Sequence, residues 1–171
     1  MDKSPRNNFK GQILVEALVA LTIVSIGLLG TFSLLSNSLS LNKVVSNQYV
    51  ASNLAMEGIE VAKNLIDHNI LALSPWNSGL SNDGIYEITY KSDALESAGL
   101  IGSCQASDIA QSARVLNFDS SFGLYSYDAG SPTIYRRGIC IQNSLDGKEI
   151  TVRSIITWIG RGGADFNVDL E

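Results

Sequence analysis

The hydrophobic pattern of the chain changes character twice. From Ile13 to Phe32 the sequence ILVEALVALTIVSIGLLGTF is apolar on every side and carries one carboxylate, Glu16. About twenty such residues span the hydrocarbon core of a bilayer as a helix. From Ser36 to Asp67 polar residues return without a proline. There an apolar stripe at helical spacing runs through Ala51, Leu54, Ala55, Ile59, Ala62 and Ile66. Asn53, Glu57, Glu60, Lys63 and Asp67 take the opposite face, with Glu60 and Lys63 set for an i,i+3 contact. Together these stretches predict one helix from about Ile13 to Asp67, roughly 80 Å long at 1.5 Å per residue. Its first half suits lipid and its amphipathic second half suits packing on a globular domain. Gly58 weakens it slightly, and Pro75 with Asn77-Ser78-Gly79 marks its end or the loop after it.

Beyond this point the period becomes that of strands. Asn82-Asp83-Gly84 is a turn before Ile85–Lys91, in which Tyr86, Ile88 and Tyr90 alternate with Glu87, Thr89 and Lys91. Ile134–Ile141 places Tyr135, Ile139 and Ile141 on one face. Leu145-Asp146-Gly147-Lys148 is a hairpin signal. It leads into Ile150–Trp158, with Ile150, Val152, Ile156 and Trp158 aligned. Gly160-Arg161-Gly162-Gly163 turns the chain into 164–171, where Phe166, Val168 and Leu170 point inward. Each strand thus has one apolar face, and the amphipathic half-helix is the cover such a sheet needs. The expected fold class is α+β, a long N-terminal transmembrane and amphipathic helix packed on a small C-terminal antiparallel sheet. Residues 92–133 are rich in Ser and Gly and read as loops with a short helix or strand.

Charge sharpens the membrane reading. The 171 residues hold 12 basic and 17 acidic side chains, a net charge of −5. Lys3, Arg6 and Lys10 face a single Asp2 in the leader before the apolar run, and the next charge after Glu16 is Lys43. By the positive-inside rule the N-terminus is cytoplasmic and the remainder lies outside. A secretory signal peptide ranks lower, because the apolar stretch to Leu35 exceeds the usual h-region of about 7–15 residues. The single histidine, His68, excludes a multi-histidine metal site, and two cysteines exclude a four-cysteine zinc site. A pI near 4.8 argues against a generic phosphate-backbone binder.

The local pattern at the start of the run is more specific. Gly11 closes the basic leader and Glu16 is the fifth residue after it. The string Gly11-Gln12-Ile13-Leu14-Val15-Glu16-Ala17-Leu18 resembles the class III signal of type IV prepilins and pseudopilins, and its continuation to Gly30 is most similar to minor pilins of the PilV type. Gln12 stands where that family usually has Phe or Met, and Ser33 stands near its helix-kinking proline. The resemblance covers about the first 35 residues. It implies cleavage by a prepilin peptidase between Gly11 and Gln12, N-methylation of Gln12, and an assembly or registry role for Glu16. It divides the chain into a leader (1–11), a filament-core helix (12–35), an amphipathic stalk (36–67) and an extracytoplasmic domain (68–171). Loss of the leader's three basic and one acidic residue leaves 9 and 16, a net charge of −7. The implied product is a minor pilin or pseudopilin in a homo- or hetero-oligomeric filament. Its partners are other pilin subunits, the inner-membrane assembly platform and, indirectly, its ATPase. No cofactor and no catalytic residue are expected, since the Gly11–Glu16 segment is itself a substrate.

Other candidates carry less. An oxidised Cys104–Cys140 pair suits an extracytoplasmic segment. Many pilin disulfides enclose C-terminal strands; this one would enclose residues 105–139. Asp165, Asn167 and Asp169 share one strand face and form a weak calcium candidate, without the glycine and downstream glutamate of a calcium loop; a solvated edge-strand face is the stronger reading. Arg136, Arg137, Arg153 and Arg161 are scattered between faces, which speaks against a nucleic-acid patch. His68, at the helix end, fits dipole complementation; a Ser-His-Asp enzyme would need it away from the stalk. The competing function is an adhesin or ligand-binding module held by an uncleaved signal anchor.

Overall fold

The computed structural model describes residues 9–90, 92, 96–100, 104–160 and 162–171. Helix α1 spans Phe9–Leu71. It is followed by β1 (Gly84–Glu87), β2 (Glu96–Leu100), α2 (Ala106–Ser112), β3 (Val115–Asp119), β4 (Leu124–Ser126), β5 (Ser131–Asn143), β6 (Ile150–Ile159) and β7 (Asp165–Leu170). The layout is α+β, an apolar N-terminal helix and a small antiparallel sheet. The chain divides into two compact units, one ending at Val45 and the other Ser46–Glu171.

In the second unit β5 is the organising strand. One edge pairs along its length with β6, which pairs in turn with β7. The other edge is shared: β1 takes Ile139–Ile141 and β3 takes the stretch near Ser131–Arg136, with β2 beyond β1 and β4 beyond β3. Directly opposed residues share a face in an antiparallel pair. Tyr135, Arg137, Ile139 and Ile141 therefore stand with Trp158, Ile156, Ser154 and Val152. This face meets α1. Ala51, Leu54 and Ala55 pack with Tyr135, Ile156 and Trp158. Ala62 packs with Ile88 and Ile139, and Ile66 with Leu80, Tyr86 and Ile141. Of the stripe predicted from spacing, Ala51, Leu54, Ala55 and Ala62 are buried, while Ile59 and Ile66 are half-buried.

Gly58 has a packing reason that offsets its poor helix propensity. A Cβ there would lie 2.6 Å from Ile139 Cδ1 and closer still to Ser154 Oγ, so the helix rests directly on the sheet. Gly58→Val is expected to destabilise the unit by about 1–3 kcal/mol through overpacking. Near-UV circular dichroism melts of the full chain in micelles would show it, with partial recovery on adding Ser154→Gly.

The opposite face departs from expectation. It is not solvated: α2 covers it, and Ile85, Cys104, Ile109, Ala113, Cys140 and Ile155 form a second core. Ile109 lies over Gly138, where a Cβ would come within 2.7 Å of its Cγ1. Ile85, Tyr86, Glu87, Ile88 and Thr89 are consequently all buried, and β1 is shorter than the predicted 85–91. Lys91, assigned to that strand by alternation, lies outside the described residues. The segment read as mostly loop contributes β2, β3, β4 and α2. The expected meander β5-β6-β7 is present within this larger sheet.

Candidate functional site

The first unit is helical surface. Every residue from Gly11 to Lys43 is exposed, with Leu29 at 72% and Phe32 at 71%. Among the described residues one helix is long and apolar enough to cross a membrane, with a mean hydropathy of 2.4 over its most apolar window. The hydroxyls of its apolar run to Phe32 are satisfied within the helix. Thr22 Oγ1 donates to the Val19 carbonyl at 2.7 Å, Ser25 Oγ to Leu21 at 2.7 Å, and Thr31 Oγ1 to Leu28 at 2.9 Å. Such back-bonding satisfies these hydroxyls without water, which matters where water is absent.

Glu16 is different. Among the described residues it has no hydrogen-bond or ion-pair partner, and it is exposed within an apolar surface. Gln12 lies one turn earlier, at i−4 on the same side of the helix. Gly11 is inside α1, which begins at Phe9 rather than Ile13, and no other group lies within 4 Å of where its Cβ would be. Glycine is a poor helix former, so Gly11 lowers the helix propensity at this point. Asp2, Lys3 and Arg6 of the leader lie outside the described residues.

The chain matches no family model, no curated protein and no solved structure.

In the second unit the other sequence candidates separate. Cys104 and Cys140 form a disulfide with Cα atoms 5.7 Å apart, buried in the core under α2. Asp165, Asn167 and Asp169 do share a face of β7. Asp169 is bound by Arg153, whose guanidinium holds both carboxylate oxygens. Among the described residues no group of three or more metal-ligating side chains comes together. His68 is exposed in the last turn of α1.

The arginines do not form a patch. Arg153 lies beside β7 and Arg136 under α2, while Arg161 falls outside the described residues. Arg137, weighed from the sequence only as one of four arginines scattered between faces, is 0% exposed and sits between helix and sheet. Its guanidinium donates to the Leu54 carbonyl at 3.1 Å and the Ile88 carbonyl at 2.6 Å, with Glu57 Oε1 at 3.3 Å. Its Nε has no hydrogen-bond partner among the described residues. It stands at an inward register position, between Tyr135 and Ile139, and that alternation was the available signal. Tyr135 adds a second tie to α1, donating to the Asn47 carbonyl at 3.3 Å.

A smaller polar cluster adjoins it. Glu87, buried, is bound by the Arg114 side chain and accepts from the Arg114 amide at 2.6 Å. The Arg114 guanidinium lies 4.6 Å from the centre of the Tyr127 ring. Tyr127 donates to the Arg137 carbonyl at 3.1 Å. Burial pushes the Tyr127 phenol up to about 12, with nearby Arg137 opposing the rise. In the unfolded chain a phenol ionises near 10. Between these values the folded state holds a proton the unfolded state has lost, so this group's contribution falls as pH rises through 10 to 12. Tyr127→Phe is expected to remove about 2–3 kcal/mol from the alkaline loss of stability over that interval. Urea midpoints measured against pH for both proteins would check it.

Proposed function

We propose that the chain is a structural subunit, a minor pilin or pseudopilin, of a type IV pilus or related type II secretion filament. The reading is carried by one observation: an exposed apolar helix bears a carboxylate, Glu16, that has no partner among the described residues and stands five residues after a glycine that closes a basic leader. Cleavage after Gly11 would free a positive amine on Gln12. In the membrane the helix holds the subunit in reserve; on extrusion it enters the filament core. A lone carboxylate and a lone ammonium are each costly in such a core, and pairing Glu16 of one subunit with the Gln12 amine of the next offsets both. The pair fixes register between subunits. The sheet unit then faces outward and makes lateral or ligand contacts. The subunit begins as a single-pass protein of the cytoplasmic membrane with residues 68–171 outside, and no step of its work is enzymatic.

N-terminal sequencing with intact-mass analysis of the protein from its native membrane is the direct test. The expected product begins at N-methylated Gln12. An intact leader, or cleavage near Ser38, would defeat the proposal in favour of a tethered binding module. Glu16→Gln is expected to be cleaved and inserted normally, while its recovery in sheared filaments drops at least about tenfold, as breaking a buried ion pair predicts. Undiminished incorporation would refute the registry role.

A further inference from the structure

The sheet face under α2 is only partly covered. α2 has 7 residues and its Ile109 shields the region of Gly138. Towards the other end of β5 and β6, Ile134 and Ile159 remain 46% and 63% exposed. A cavity of about 500 Å³ occupies this space, bounded by α2, β3, β5, β6 and the start of β7. That volume and a largely apolar lining with a few fixed polar groups are the usual attributes of a ligand site.

The polar groups form an ordered row. Arg136, Thr157 and Asn167 are directly opposed on three successive strands, on the cavity side of the sheet. Asp165 lies in the next row on that face, on the order of 10 Å from Arg136 given the strand spacing. Arg136 donates through one nitrogen to the Ala113 carbonyl, and among the described residues no carboxylate pairs with it. Thr157 is 4% exposed and its hydroxyl has no partner among the described residues. The site thus offers an unneutralised cation, an unspent hydroxyl and an amide beside two open isoleucines.

We propose that this cavity binds the free C-terminal end of a short apolar peptide. The terminal carboxylate pairs with the remaining donors of Arg136, and Arg is suited to planar, two-point recognition of that group. The last side chain lies over Ile134 and Ile159. The peptide amides meet Thr157 and Asn167, and Asp165 accepts an N–H further along. A fatty acid would also satisfy Arg136, but its chain would leave Thr157, Asn167 and Asp165 against hydrocarbon, which is unfavourable. The proposal stands independently of the filament reading.

The test uses the full chain in nanodiscs with isotopically labelled isoleucine methyls. The probe is a mixture of N-acetylated tripeptides ending in Val, Leu, Ile or Phe, added to about 1 mM, with the same mixture amidated at the C-terminus as control. The free acids are expected to shift the Ile134 and Ile159 methyls, with apparent affinity at least about tenfold above the amides, as loss of a charge-assisted contact predicts. Arg136→Gln is expected to abolish the shifts and Thr157→Val to weaken them several-fold, leaving the methyls of Ile139 and Ile141 unmoved. Should Arg136→Gln disturb folding, the acid-to-amide comparison on the unaltered chain decides. Equal responses to acid and amide, no response, or tighter displacement of the same methyls by decanoate would overturn the proposal.

Discussion

Arg137→Ala is expected to destabilise the globular unit by about 3–5 kcal/mol, the range for removing a buried, hydrogen-bonded charge. The substitution empties a fully enclosed space, which adds a cavity cost. It strands the Ile88 carbonyl, and it takes from Leu54 the donor that joins α1 to β5. Glu57 is 32% exposed along its side chain, so it recovers hydration and contributes little to the loss. Arg137→Met separates packing from polarity. It refills most of the volume and removes the cost of burying a guanidinium whose Nε is already unpartnered. Its expected destabilisation is less than half that of alanine, because apolar replacements of buried ion pairs are often near neutral. Urea unfolding of the full chain in micelles, followed by near-UV circular dichroism, would give both values. Equal losses for Ala and Met would mean that the hydrogen bonds, not the packing, hold the helix in place.

Removing the disulfide comes next in size. Cys104→Ser with Cys140→Ser opens a covalent loop with a sequence separation of 36, about 4 kcal/mol in the chain-entropy model. For a unit of this size the loss corresponds to a melting temperature lower by roughly 10–20 °C. Cys140 is 0% and Cys104 5% exposed, so serine in place of sulfur also buries two hydroxyls. The alanine pair is therefore expected to melt a few degrees above the serine pair. Calorimetry of the three proteins at equal detergent concentration would check the order. The damage is expected to concentrate under α2, since the bridge lies in that core and not in the one against α1.

Which features could be read in advance follows from their physical length scale. Ala51, Leu54, Ala55 and Ala62 are buried as the helical period predicts, because a long amphipathic helix repeats its signal over several turns. The strands β5, β6 and β7 were legible for the same reason, helped by the turn at Asp146-Gly147. The region 92–133 was not. α2 has 7 residues and β4 has 3, too few for either period to declare itself. Burial on both faces erased the alternation that would have marked β1: Ile85 to Thr89 are buried without interruption. The inward position of Arg137 could be read from register, since Tyr135 and Ile139 stand on either side of it, but a charged side chain interrupts the apolar pattern that marks such a face. Of the candidate functional residues, Gly11 and Glu16 were visible because they depend on near neighbours in one helix. The cavity under α2 was invisible because it is assembled from several elements distant in sequence.

The disulfide also changes how this unit answers a pull. Tension applied between α1 and β7 follows the covalent chain, and the Cys104–Cys140 bond is a shortcut across 36 residues of it. β3, β4 and the first part of β5 lie inside that bypass, so while the bond is intact backbone tension passes them by and a pull reaches them only through noncovalent contacts such as those of Tyr135 and Arg137 with α1. The extensible length is shortened by about 120 Å, taking 3.3–3.6 Å per stretched residue. Under axial tension the backbone path therefore skirts the α2 and β3 side of the cavity beside Arg136 and Thr157, and the bond acts as a strain shunt around it.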